Sequence, residues 1–307
     1  MKAEFAVADE SRELRGRRTG AGGLGKFLLL FAISAAVLFL AAPTSKAQNL
    51  NWEGQTGAFV TPFAYTSASP SGGFGHPAVS FHYLDGGDVI GGLYQVSATE
   101  GFLKRFEAGY THSFNSAGNT AGLSPLFYGG FNIFHGKANL LPENAGKHNF
   151  LPAISVGFVV RSQLGHITGN NKTNGDAYLV ATKTITQIQG LPIVVSGGVK
   201  GTNASVLGIA GNSPTWQARG FGAVGFVLPG PKSKLVVGSE VLQEPHYIQG
   251  VPGATLPTTL TYFVRVLPKT ERPLNIDFGV AQAAGNIAPG ADIKARAQFA
   301  FGISYKF

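Results

Sequence analysis

Between Ile293 and Phe307 apolar and polar residues alternate one for one. Ile293, Ala295, Ala297, Phe299, Phe301, Ile303, Tyr305 and Phe307 share one parity, and the other parity is small or polar throughout. A period of two sorts side chains onto opposite faces of a strand, which a helix cannot do with this pattern. Similar runs recur after Pro77, each bounded by Gly, Pro, Asn or Ser clusters: Ala78–Leu84, Val89–Val96, Leu103–Phe114, Leu126–His135, Phe150–Arg161, Ala177–Ile185, Ile193–Thr202, Trp216–Leu228, Lys234–Leu242, Thr259–Leu267 and Leu274–Ala283. No segment after residue 47 reads as a helix. The expected fold is all-β, a transmembrane antiparallel up-and-down β-barrel of about twelve strands, with ten to fourteen admitted.

The last strand carries a further signal. Alternating aromatics ending on Phe307, with Phe301, Ile303 and Tyr305 before it, resemble the C-terminal signature of Gram-negative outer-membrane β-barrels. That resemblance implies an assembly signal read by the barrel assembly machinery and a location in the outer membrane, against lipid and lipopolysaccharide. A soluble β-sandwich is the alternative for an isolated strand of this kind. The phrases Leu151–Gly157, Asp176–Lys183, Val236–Glu240 and Arg105-Phe106-Glu107 are also similar to an uncharacterised family of such barrels, to which no catalytic residues are assigned.

The N-terminus has the form of an export address. Arg12, Arg15, Arg17, Arg18 and Lys26 precede the apolar run Phe27–Ala42, and Ser45-Lys46-Ala47 follows as a small-x-small site. A secretory signal peptide, residues 1–47, is expected to be cut between Ala47 and Gln48 through the general secretory route. A retained anchor is the alternative, although the run falls short of a comfortable span. Gly20–Lys26 mimics a phosphate loop, but Phe27 stands where a magnesium-binding hydroxyl is needed and no strand precedes it. Residues 48–77, rich in Gly, Ser, Pro and aromatics, form a lead-in or plug, with a possible strand at Ala58–Tyr65. Residues 78–307 form the barrel.

Composition agrees: 43 Gly, 23 Phe, no Cys and 13% charged residues suit neither a disulfide scaffold nor an ordinary cytosolic enzyme. The basic excess is too dilute to argue for nucleic acid. Through the C-terminal half, connection lengths fit a barrel with longer loops on one side, including Gln243–Thr258, and compact ones such as Pro229–Ser233 on the other; near the start the fit weakens, with Asp85–Asp88 short and Gly136–Asn149 long.

Facing can be read from single strands. In Leu103–Phe114, Phe106, Ala108, Tyr110, His112 and Phe114 suit lipid, while Arg105, Glu107, Gly109, Thr111 and Ser113 suit the lumen. The same sorting sends Arg161, Lys200, Arg265, Lys294 and Arg296 inward, opposed by Glu107, Glu240 and Asp277. Such a lumen would favour anions by focusing; alternatively these charges pair and close it, as barrels of this size can do.

The functional expectation is a passive pore or uptake channel for small polar or anionic solutes, without cofactor or metal and not an enzyme. Three alternatives remain: a non-conducting structural or adhesion barrel, a conduit for hydrophobic or polymeric cargo with Gln48–Pro77 as plug, and a membrane-embedded lipid hydrolase using His112. The seven His show no metal-ligand spacing, and Asp85-Gly86-Gly87-Asp88 reads as a turn. Nothing marks an oligomer interface.

Overall fold

The computed structural model describes residues 49–307, apart from residues 117, 121–128, 165–172, 189, 249–250, 257, 269–273 and 284–296. Its strands are β1 (Ala78–Asp85), β2 (Gly92–Phe102), β3 (Phe106–Asn115), β4 (Phe131–Leu141), β5 (Ala153–Gln163), β6 (Thr173–Ile185), β7 (Ile193–Ala204), β8 (Asn212–Pro229), β9 (Ser233–Leu242), β10 (His246–Ile248), β11 (Val251–Thr255), β12 (Thr259–Pro268), β13 (Leu274–Ala283) and β14 (Gln298–Lys306). Twelve of them close into one antiparallel barrel in chain order, with β1 sealed against β14 from Ala78↔Lys306 to Leu84↔Ala300. Closure leaves no sheet edge, the condition for spanning a bilayer with strands.

The alternation read from the sequence is the pattern that folds. On β14 Phe299 and Ile303 are exposed, as is Phe307 just beyond it, while Ala300, Gly302, Ser304 and Lys306 are buried. Large apolar side chains stand exposed around the wall, among them Val96, Phe134, Phe158, Val199, Tyr262 and Phe278. Aromatics gather at both ends of β1 to β3. Tyr83, Tyr94 and Phe114 lie with ring centroids 5.1 and 5.0 Å apart at one end, and Phe74, Phe102 and Phe106 are 5.9 and 5.2 Å apart at the other. An apolar outer band between aromatic girdles is the surface of an outer-membrane-type barrel. Val199, mid-strand on β7 and 58% exposed, tests this directly. Val199→Arg is expected to cost about 2–4 kcal/mol, read as a lower urea midpoint in vesicles, whereas Val199→Leu should change little.

Several boundaries differ from the sequence reading. The predicted strand Val89–Val96 begins late, because Gly87–Ile90 forms one helical turn that buries Val89 and Ile90. Leu103 and Lys104, predicted to open a strand, adopt positive φ (53° and 60°) and make the tight turn between β2 and β3. Of the run Leu126–His135, residues 126–128 lie outside the described residues, and the strand observed is Phe131–Leu141. Ala58–Tyr65 forms no strand, only the isolated bridge Gly57↔Pro62. The loop Gln243–Thr258 holds the extra hairpin β10–β11. For Ile293–Phe307 the described strand starts at Gln298, and residues 293–296 lie outside the described residues.

Candidate functional site

The lumen is occupied by the chain's own N-terminal segment. From Leu50 to Ala64 nearly every residue is buried. The segment starts near the barrel's short-turn end, where Asn275 Nδ2 donates to Asn49 Oδ1 (2.7 Å). It rises to Trp52 and Glu53, and returns to the same end at Ser69, whose hydroxyl accepts from Lys104 N (2.9 Å). Asn51 sets the fold of this loop: its Oδ1 accepts from Glu53 N and Gln55 N (3.1 and 2.9 Å) and its Nδ2 donates to Val60 O (2.9 Å), an Asx-type turn. Gly54 passes close against the wall. With φ +84°, a Cβ there would sit 2.7 Å from Thr111 Oγ1 and 2.8 Å from Ser97 Cβ, so only glycine serves.

Irregular backbone removed from water must find partners for its N–H and C=O groups. Here the barrel wall supplies them. Glu107 accepts from Thr56 N (2.9 Å), Thr56 Oγ1 and Ser67 N (2.7 Å). Glu240 accepts from Val60 N (2.9 Å), Thr61 N (2.7 Å) and Thr61 Oγ1 (2.8 Å). In the opposite sense, Arg265 donates to Gly57 O and Ala58 O (both 3.0 Å) while paired with Asp277. Lys137 donates to Thr56 O and Lys306 to Ala68 O (both 2.8 Å). The apolar side of the segment, Ala58, Phe59, Val60 and Ala64, packs on an apolar sector of the inner wall that includes Ile133, Val159, Val180, Phe221 and Phe263.

The inward-predicted residues are therefore placed as follows. Glu107, Glu240, Arg265 and Asp277 bind the segment or support a group that does. Arg161 holds Glu53 through Nε and Nη2 and Asp176 through Nη2 (2.7 Å). Lys200 Nζ lies 3.8 Å from Asp176. Arg105 is buried and donates to Asn139 O (3.2 Å) and Leu140 O (3.3 Å). Lys294 and Arg296 lie outside the described residues, as do Ala47 and Gln48. Phe301, Ile303, Tyr305 and Phe307 are on the outer parity of β14.

Sequence reasoning missed Glu53, Lys137, Asp176 and Lys306. Lys137 lies beyond the end of the predicted strand Leu126–His135, and Asp176 lies just before the predicted strand Ala177–Ile185. Glu53 carried a signal, being the single charge between Asn49 and Ser69.

Among the described residues the mouth on the long-loop side is covered by apolar side chains. Trp52, Val89, Ile90 and Leu93 form a buried cluster against which Leu84, Leu207 and Ile209 pack. Leu207 reaches it because residues 205–211 fold inward, with Val206 and Leu207 at φ 47° and 56° and Glu244 accepting from Val206 N (2.8 Å) and Thr259 Oγ1 (2.9 Å). Among the described residues the lumen thus has a polar clamp and an apolar lid.

No family model and no curated protein matches the chain. Among solved structures it is similar to the KdgM porin, at 9% identity and a TM-score of 0.45, over 75% of this chain and 99% of that one. It is similar also to the COG4313 outer membrane channel from Pseudomonas putida F1, at 9% identity and 0.46, over 78% and 96%. A third is the translocator domain of the autotransporter NalP from Neisseria meningitidis, at 14% identity and 0.39, over 76% and 87%.

Glu244 offers a test of the lid. Replacing it with Ala leaves Val206 N and Thr259 Oγ1 without their acceptor, and loss of hydrogen bonds to a charged group should speed protease cleavage within residues 205–211 by roughly tenfold. Burial pushes the Glu244 carboxyl above its ordinary range. A raised value in the folded state means that the closed lid favours the protonated acid. Cleavage of the unaltered chain should therefore slow as pH falls through that raised value and quicken as pH rises.

The hydrolase alternative finds little in the geometry. The hydrogen bonds of His112 on the outer wall go to Tyr110 OH (3.4 Å) and Asn132 Oδ1 (3.1 Å). Ser113 points inward and accepts from Phe131 N (2.8 Å). Among the described residues no three His, Asp or Glu side chains gather as a metal site.

Proposed function

We propose that this protein is an outer-membrane channel for small polar solutes, exported with cleavage between Ala47 and Gln48 and held shut by residues 49–69. The observation that carries this reading is how the segment is attached. The wall meets it mainly through backbone groups, using side chains suited to a wet lumen, and both its ends lie at the short-turn end. A barrel built only as a scaffold could fill its bore with wall side chains alone; this one lines much of it with Gly, Ser, Thr and charges beside one apolar sector, and fills the bore with a strand-free polypeptide that can leave without breaking the sheet. The C-terminal strand, with Phe301, Ile303, Tyr305 and Phe307 facing outward, is the feature we assign to the assembly machinery, and the outer band contacts lipid and lipopolysaccharide.

The test is planar-bilayer recording of the refolded chain, with and without residues 49–69. Closure by the segment requires a silent intact chain and a conducting truncated one. Equal silence from a correctly folded truncated barrel would reject the channel and leave a structural role. Equal conductance from both would reject the closure.

A further inference from the structure

We propose that Arg161, Asp176, Tyr178 and Lys200 form the solute-binding site, and that it takes a small hydroxylated carboxylate whose carboxylate group replaces that of Glu53. The inference rests on the channel reading and names the class of solute.

Glu53 is the only charged residue between Asn49 and Ser69. The rest of the segment is gripped by hydrogen bonds that mostly involve its backbone, a chemistry available to many sequences. At Glu53 the grip is specific. The fully buried Arg161 presents Nε and Nη2 to its two carboxylate oxygens, with Nη2 2.8 Å from Oε2. This planar fork matches a carboxylate, and Glu53 occupies it in the closed lumen as a free carboxylate would in an open one.

The surroundings are prepared for more than a carboxylate. A cavity of about 20 Å³ lies beside the pair, lined in part by Glu53, Gln55, Asp176, Tyr178 and Lys200, with room for about one or two water molecules. Three buried polar atoms in its lining make no hydrogen bond of good geometry: Gln55 Nε2, Asp176 Oδ1 and Tyr178 OH. Buried polar groups left without partners are rare and point to an occupant. Two belong to the wall and remain when the segment leaves. Asp176 Oδ1 can accept from a solute hydroxyl. Tyr178 OH can donate to one, as can Lys200, whose ammonium is 3.8 Å from Asp176 Oδ2. A carboxylate bearing a neighbouring hydroxyl satisfies both halves of the site. The site lies under the apolar lid, where a solute arriving from the long-loop side would compete with Glu53 and weaken the segment's hold.

Trp52 adjoins Glu53 and is one of two tryptophans in the chain; the other, Trp216, is exposed on the outer wall. In the refolded full-length mature chain carrying Trp216→Phe, emission from Trp52 is followed while glycolate is added, with glycolamide and sulfate as comparisons. Glycolate should shift the emission and the other two should not. Glu53→Gln, which weakens the built-in competitor, should lower the glycolate concentration needed by about tenfold or more. Adding Arg161→Lys, which keeps the charge but loses the fork, should reverse that gain; the heat-modifiable gel shift checks that each variant is folded. Equal responses to glycolate and glycolamide, or to glycolate and sulfate, would overturn the proposal. So would a Glu53→Gln, Arg161→Lys chain that binds glycolate as well as Glu53→Gln alone. Glycolate binding with a silent segment-free barrel would keep this site and reject the channel, whereas conductance without a glycolate response would keep the channel and reject the site.

Discussion

Deleting residues 49–69 is expected to turn a silent barrel into an open one with a modest preference for anions. The buried charges of the described residues show why the preference should be modest. Arg105, Lys137, Arg161, Lys200, Arg265 and Lys306 stand against Glu53, Glu107, Asp176, Glu240, Glu244 and Asp277, so the closed bore is balanced. Only Glu53 leaves with the segment, and the remainder is a single excess positive charge. Arg265, Lys137 and Lys306 exchange segment carbonyls for water and mobile ions, and Glu107 and Glu240 exchange segment N–H groups for water, so exposure is two-sided and the excess charge sets the sign. In a narrow bore with low-dielectric walls that excess focuses anions. The reversal potential across a potassium chloride gradient should carry the anion sign, and Lys200→Glu in the truncated chain should cancel or invert it. A cation preference in the truncated chain would show that the described charges do not set the selectivity.

The barrel was legible because strand period and membrane solvent act on the same residues. On β3 and β5, alternation alone separates Phe106, Tyr110, Phe158 and Val160 from Glu107, Thr111, Ser155 and Arg161, and the structure keeps every one of these on its expected face. Boundaries failed where turn chemistry overrides apolarity. Val89 and Ile90 look like strand residues but pack under a lid as a helical turn, and Leu103 is apolar yet occupies a left-handed turn. The state of the lumen was not legible. The same inward charges describe an ion-lined pore and a paired, closed bore. What distinguishes them is a polypeptide with one charge, no period and no strand, whose binding relies on backbone groups that every residue possesses. Glycines at inward positions do not mark open space: a Cβ on Gly157 would lie 2.3 Å from the Tyr178 hydroxyl, and one on Gly109 the same distance from His135 Nε2. These glycines make room for large inward side chains.

Replacing Glu107 should release the segment while sparing the barrel. Its carboxylate gathers donors from two separated points of the segment, Thr56 and Ser67, and lies 3.1 Å from Lys137 Nζ with both side chains fully buried. Glu107→Ala leaves an ammonium and two backbone N–H groups without that partner, a loss of about 3–5 kcal/mol when one member of a buried pair is removed. The ladder of β2, β3 and β4 runs through backbone groups and does not need this side chain, so the cost falls on docking of the segment and not on closure of the sheet. The expected result is a barrel that still shows the heat-modifiable shift, whose residues 49–69 become accessible to protease and which conducts intermittently. Glu107→Gln keeps one carbonyl acceptor but loses the charge facing Lys137, so its open time should lie between those of the unaltered chain and the Ala variant. A silent Glu107→Ala barrel with an undigested segment would mean that Glu240, Arg265 and Lys306 hold the segment without it, and that the clamp is spread along the whole bore rather than concentrated at its short-turn end.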